Sequence, residues 1–169
     1  VHGNTIIPAE SLADDRPEAD GITVATPGLP IAVNIADCVP VLLFDPEANC
    51  AAAIHAGRRG LETQIVTHAV NALTERRAKP AKIHAAIGPS AGPCCYEVSV
   101  EMAEEWSAQG LPADGRMLDL WTAAKNQLTD TGVPQNQIEV AAICTICTDR
   151  FYSYRSGDQN PRNLAYLMI

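Results

Sequence analysis

Three side chains in this sequence have the most to offer chemistry: the imidazoles of His2 and His55 and the thiol of Cys38. Each sits where turn-forming or strand-breaking residues crowd a reactive group. The segments are His2-Gly3-Asn4, Ala36-Asp37-Cys38-Val39-Pro40 and Ile54-His55-Ala56-Gly57-Arg58-Arg59-Gly60. Two imidazoles and one thiolate are a three-ligand set that leaves a zinc ion a fourth, open position, the pattern of catalytic rather than closed structural sites. Taken singly, a histidine near a chain end is more often solvated, and a cysteine in an apolar run more often plain core. A metal-free reading makes Cys38 a nucleophile with His55 as its base, in a hydrolase or deamidase. A non-catalytic reading has an ion that merely holds the His2 segment to the core.

Arg58 and Arg59 stand at the start of a helical pattern. Backbone N–H groups and the macrodipole favour an anion there. Asp37, beside the cysteine, is a candidate general acid/base and equally a turn residue. Cys144-Thr145-Ile146-Cys147 is a lone CxxC with no second pair in the sequence, which argues against a zinc ribbon. Packing is the expected role for these cysteines and for Cys94-Cys95. The H-x-E with P-C-x-x-C signature of zinc deaminases is absent, since His55 is followed by Ala56-Gly57 and Cys144 is preceded by Ile143.

These groups need elements to position them. Residues 5–30 are rich in Pro, Asp, Glu and Gly around one β-branched run at 22–24, which predicts an irregular surface stretch around a short strand. Residues 31–45 are strongly apolar but interrupted by Asp37-Cys38 and Pro40, which predicts two strands broken at the cysteine. Residues 50–56 predict a strand that delivers His55 at its end. Leu61, Ile65, Val66, Ala69, Val70 and Leu73 recur at helical spacing, so one helix is expected after the glycine turn. Further strands are expected at 82–87, 137–143 and 163–169, and helices at 98–109 and 118–131 closed by Gly110 and Gly132. Strands alternating with helices predict a layered mixed domain.

At 169 residues the chain is long enough for a full core and reads as one domain over 1–169. With 12 basic against 20 acidic residues and a net charge of -8, it would repel a phosphate backbone, so no nucleic-acid partner is expected. No apolar run approaches the roughly 20 residues of a membrane span. Six cysteines in a chain with an ordinary core read as reduced thiols, which points to the cytoplasm.

Together the segments resemble the YfiH-like family, also named the multicopper polyphenol oxidoreductase or laccase-domain family. The resemblance rests on the His2-Gly3 pair, the 36–45 strand and the 54–60 turn. It continues in order through Ile87-Gly88-Pro89, Cys94-Cys95-Tyr96-Glu97-Val98, Leu118-Asp119-Leu120, Cys144-Thr145 and Phe151-Tyr152-Ser153-Tyr154-Arg155. Three positions depart from the family pattern: Arg58 replaces a tryptophan, Ser156 a second arginine, and Pro161 a glycine before Arg162. Family members also carry a further N-terminal region before the HG pair.

The resemblance implies an α+β fold layered α-β-β-α, of the type shared with toxin cysteine deamidases. It implies metal ligation by His2, Cys38 and His55, with Zn2+ expected and Cu2+ the alternative. It implies purine nucleoside and phosphate as substrates, for phosphorolysis of adenosine, inosine or methylthioadenosine, and deamination of adenosine. Deamination needs a water activated near neutral pH, which a divalent cation supplies. On this reading Cys38, Asp37 and Arg59 carry the catalysis, and Arg59, Arg58 and Asn4 contact the substrate. A copper-dependent polyphenol oxidase is the reading the family name suggests, but one His-Cys-His set and only 4 histidines are too few for several coppers.

Overall fold

Two neighbouring strands with opposite faces buried organise the domain. In the computed structural model, which describes residues 2–11 and 18–169, Val39–Asp45 pairs antiparallel with Cys50–Ala56, with Pro40 opposite His55. Side chains alternate across a strand. Val39, Val41, Leu43, Cys50, Ala52 and Ile54 therefore enter one core, while Leu42, Phe44, Ala51 and Ala53 face a second. Cys38 and His55 share the parity of this second set, and so emerge beyond its end.

In chain order the strands are β1 (Ile6–Pro8), β2 (Gly21–Val24), β3 (Ile31–Ile35), β4 (Val39–Asp45), β5 (Cys50–Ala56), β6 (His84–Ile87), β7 (Ala113–Asp114), β8 (Met117–Leu118), β9 (Ile138–Val140) and β10 (Asn163–Leu167). The helices are α1 (Arg58–Glu62), α2 (Ile65–Glu75), α3 (Val100–Ala108) and α4 (Leu120–Asp130). Six strands form one sheet in the order β1-β2-β5-β4-β6-β9. β3 and β10 form a separate antiparallel pair, and β7 and β8 a short hairpin.

The main core is filled from the helices by Leu61, Ile65, Val66, Ala69, Val70 and Leu73, together with Trp106, Leu120, Ala124 and Leu128. The smaller core lies between the sheet and β3–β10, where Ile31, Val33 and Leu167 meet Val24, Leu42 and Phe44. Helices, a six-stranded sheet and a second β layer thus stack in the expected layered α+β arrangement. Among the described residues, no helix is long and apolar enough to cross a membrane.

The predicted break at the cysteine is present: β3 ends at Ile35 and β4 begins at Val39. Asp37 turns the chain between them with φ 78. The caps at Gly110 and Gly132 are also present, with φ 75 and 93. Strands predicted at 82–87, 137–143 and 163–169 are shorter, at His84–Ile87, Ile138–Val140 and Asn163–Leu167.

Two expectations are corrected. The single helix after the glycine turn is two helices, because Gln64 adopts left-handed backbone at φ 61. The break leaves terminal peptide groups inside the core, and Gln127 of α4 serves both sides: its Oε1 accepts from Val66 N–H (3.2 Å) and its Nε2 donates to Leu61 O (2.7 Å). The stretch at 5–30 is less irregular than predicted, since β1 pairs in parallel with β2. Its residues 12–17 lie outside the described residues.

Candidate metal centre and its pocket

The cluster forms where three chain segments meet at the ends of β4 and β5. His55 is the penultimate residue of β5, and Cys38 precedes β4 directly across from Gly57. A Cβ at Gly57 would stand 3.0 Å from Cys38 Sγ and 3.1 Å from Cδ2 of His2, so glycine is what leaves room for both side chains. A Cβ at Gly60 would meet the Gly3 carbonyl at 2.9 Å, and its absence lets the His2 segment lie against α1. The two glycines of the 54–60 turn are spaces for this site.

Asp20 fastens the His2 segment, and nothing in the sequence had singled it out. Its buried carboxylate accepts from Gly3 N–H at 3.0 Å and Thr5 N–H at 3.4 Å. Its own carbonyl accepts from His55 N–H at 2.7 Å. One residue thus ties both histidine-bearing backbones together.

The ligand atoms of His2, Cys38 and His55 all lie within 4.8 Å of one another. The two imidazole rings meet edge to face, with centroids 5.2 Å apart and an interplanar angle of 72°. His55 Nε2 is buried with no hydrogen-bond partner among the described residues, which is costly for a polar atom unless something else occupies it. Burial, with the neighbouring His2, pushes the His55 pKa down to about 4. Burial, with the Asp37 charge, pushes the Cys38 thiol up to about 11. Burial also lowers His2. Both imidazoles are therefore kept neutral with lone pairs available, beside a thiol that only a strong Lewis acid would deprotonate. A divalent cation fits this donor set and gives the orphaned nitrogen its partner.

The cluster opens into a pocket of about 430 Å³, within the range of small-molecule sites. Asp37 and Tyr96 line it, as do Tyr154, Arg155 and Arg162. Asp37 is an organising residue of this wall. One carboxylate oxygen accepts from Thr145 Oγ1 at 2.7 Å and the other from Arg155 N–H at 2.8 Å. The Arg155 guanidinium lies 4.7 Å over the Tyr96 ring and donates to Glu97 O at 2.8 Å.

The arginines of the 54–60 turn, expected to bind an anion, lie beside the cluster but outside the pocket's lining. Arg58 is paired with Glu62 on the same helix, and α1 has only five residues, too short to develop much of a macrodipole. Arg59 is exposed. Neither lines the pocket, whose arginines are Arg155 and Arg162. Asn4 is turned away as well, its amide on Thr63 O (3.1 Å) and against His68 Nε2 (3.3 Å). Phe151-Tyr152-Ser153-Tyr154-Arg155 was the available signal for the arginine wall, visible as a motif but without a role until the chain folds back.

Known proteins resemble this chain along its whole length. The family described as multi-copper polyphenol oxidoreductase laccase matches residues 1–169. A purine nucleoside phosphorylase of Streptomyces coelicolor is 37% identical, covering 100% of this chain and 72% of the relative. One from Deinococcus radiodurans is 38% identical, covering 92% and 62%. Among solved structures, YlmD from Geobacillus stearothermophilus superposes with a TM-score of 0.86 at 32% identity, covering 99% of this chain and 70% of that one. The YfiH protein of Bacillus licheniformis gives 0.85 at 29%, covering 100% and 72%. With its glycine-cradled His-Cys-His cluster and a match along its full length, the chain belongs to the YfiH-like family of multi-copper polyphenol oxidoreductase laccase proteins.

Proposed function

We propose that this domain is a zinc-dependent purine nucleoside enzyme whose principal reaction is phosphorolysis. The observation that carries this reading is the pocket itself, lined together by an N/S donor cluster, two arginines and two tyrosines. The names of the Streptomyces and Deinococcus relatives support the substrate class.

In phosphorolysis a phosphate oxygen forms a bond to the anomeric carbon of the sugar. The bond to the purine nitrogen breaks, its electron pair leaves with the base, and the base takes up a proton. Arg155 and Arg162 would hold and orient the phosphate by charge-assisted hydrogen bonds. Tyr96 and Tyr154 offer aromatic faces to a purine ring. Asp37 positions the Arg155 loop, and its carboxylate is the acid/base candidate that lines the pocket. His2, Cys38 and His55 would hold the cation, which supplies positive charge to neutralise the bound anion.

Adenosine deamination is the second activity of this reading, favoured by the same cluster. The metal-free cysteine mechanism is disfavoured, because a nucleophilic cysteine needs a depressed pKa beside a protonated base, and burial shifts Cys38 and His55 in the opposite directions.

The test combines elemental analysis with phosphate-dependent release of free base from adenosine and inosine, for the wild type and Cys38→Ala. The expected result is that base release, and the one zinc ion per chain held by the His2, Cys38 and His55 cluster, are both lost in the variant. A wild-type protein that carries zinc but neither phosphorolyses nor deaminates either nucleoside would overturn the purine assignment.

A further inference from the structure

Outside this pocket the fold gathers four more thiols. Cys94 and Cys95 lie on the turn after β6, and Cys144 and Cys147 on the segment after β9. Their four Sγ atoms all lie within 4.8 Å of one another, and Cys94 Sγ is 3.8 Å from Cys147 Sγ. Four thiolates bound tetrahedrally at about 2.3 Å have sulfur–sulfur edges of about 3.8 Å. The second cysteine pair that the sequence alone did not reveal is Cys94-Cys95, brought to Cys144 and Cys147 by the pairing of β6 with β9.

Packing does not account for this grouping. Cysteines that merely fill a core are buried among apolar side chains, whereas Cys94 and Cys147 are exposed, Cys95 half-buried and only Cys144 buried. The backbone around them is built for close approach. A Cβ at Gly92 would lie 2.6 Å from the Trp121 ring and 3.1 Å from Cys144 Cβ, so only glycine lets this turn reach Cys144. Gly92 N–H donates to Cys144 Sγ at 3.3 Å, the kind of contact that orients and stabilises a ligating thiolate. The segments are locked side by side, with Ser90 N–H donating to Ile143 O (3.1 Å) and Thr145 N–H to Ser90 O (3.0 Å).

We propose that Cys94, Cys95, Cys144 and Cys147 form a second, closed tetrathiolate site for a zinc ion, structural in role and separate from the His2, Cys38 and His55 cluster. Four sulfur donors leave no open position for substrate, and a soft tetrahedral set selects zinc over hard cations. Binding deprotonates the thiols and releases the protons to solvent, with no oxidant needed. The site ties the turn that leads to Tyr96 to the segment that carries Thr145 and runs on to Arg155. Both are walls of the catalytic pocket, so this ion would hold the pocket's shape from outside.

The test measures zinc per chain in protein purified under reducing conditions, for the wild type, Cys38→Ala, Cys147→Ser and Cys94→Ser with Cys147→Ser. Two ions are expected in the wild type, one in Cys38→Ala, and one in the double variant. Reconstitution with Co2+ separates the sites: the intense sulfur-to-cobalt charge-transfer absorption of four thiolates should persist in Cys38→Ala and fall in the double variant to the weaker band of the single Cys38 thiolate. Should the cysteine variants fail to fold, alkylation of the wild type decides the matter. Expected are four cysteines protected until a chelator is added, in addition to Cys38. One ion per chain that disappears in Cys38→Ala overturns the proposal. So does a mass deficit showing disulfides among the four cysteines in the reduced preparation, or ready alkylation of all four in the zinc-loaded protein.

Discussion

Cys38 Sγ lies 3.0 Å from the place where a Cβ on Gly57 would stand, and the His2 ring stands 3.1 Å from the same point. The glycine thus shapes the cluster although it offers no donor atom of its own. Gly57→Ala should move both groups by a few tenths of an ångström and weaken metal binding by about tenfold or more, as changes beside metal ligands typically do. Competition with a chromophoric chelator would measure this. Wild-type affinity in the variant would show that the close contact is without consequence.

The arginine wall makes a prediction that sorts the two pairs of arginines. Arg155→Ala and Arg162→Ala should each raise KM for phosphate by about tenfold or more, the scale of one lost charge-assisted contact. Arg58→Ala and Arg59→Ala should change it by less than about threefold, as expected of exposed or locally paired charges. The reverse ranking in steady-state kinetics would return the anion site to the 54–60 turn.

Asp37 can be tested as a positioning residue. Asn tolerates left-handed backbone, so Asp37→Asn keeps the turn at φ 78 while weakening the bonds to Thr145 and Arg155. The expected effect is a rise in KM for phosphate with the pH profile of kcat unchanged. Loss of one limb of that profile would instead make Asp37 the general acid/base.

Metal binding should depend on pH through Cys38 alone at neutral pH and above. The thiol, raised to about 11, is protonated at pH 7 and must lose its proton on binding. His55, depressed to about 4, and His2, lowered from its ordinary value, are already neutral there. Loading the His2, Cys38 and His55 cluster should therefore release about one proton per ion. Its affinity should rise about tenfold per pH unit between roughly pH 7 and 9. Calorimetry in buffers of different ionisation enthalpy, on Cys94→Ser with Cys147→Ser, counts that proton. A value near zero or two contradicts the assignment.

Gln127 offers a test of the fold. It is 3% exposed and serves Val66 N–H and Leu61 O at the break between α1 and α2. Gln127→Leu would leave Val66 N–H buried and unpartnered while Leu61 O keeps its bond from Gln64 N–H (3.1 Å), at a cost of about 1–3 kcal/mol. Urea denaturation measures this directly, and a loss under about 1 kcal/mol would mean that the break finds other partners.

The elements nearest the cluster were legible because their signals are local. Alternating apolar residues define β4 and β5, Asp37-Cys38 and Pro40 interrupt the run, and glycines end α3 and α4. Gln64 was not legible, since nothing in its neighbours demands left-handed backbone; the break is stabilised by a glutamine 63 positions away on α4. β1 was missed for a similar reason, as three residues become a strand only when β2 lies beside them.

For the site, the sequence by itself determined the types of the candidate ligands, their placement at strand ends and the glycines between them, because donor chemistry and backbone freedom belong to single residues. Tertiary structure decided which charges face the pocket. It turned Arg58 onto Glu62 and Asn4 onto Thr63, and it carried Arg155 to Asp37 across 118 positions. It also made two adjacent cysteines and a lone CxxC into one group of four thiols. Distances between segments far apart in the chain follow from strand pairing and core packing, which are properties of the whole domain and of no single stretch of sequence.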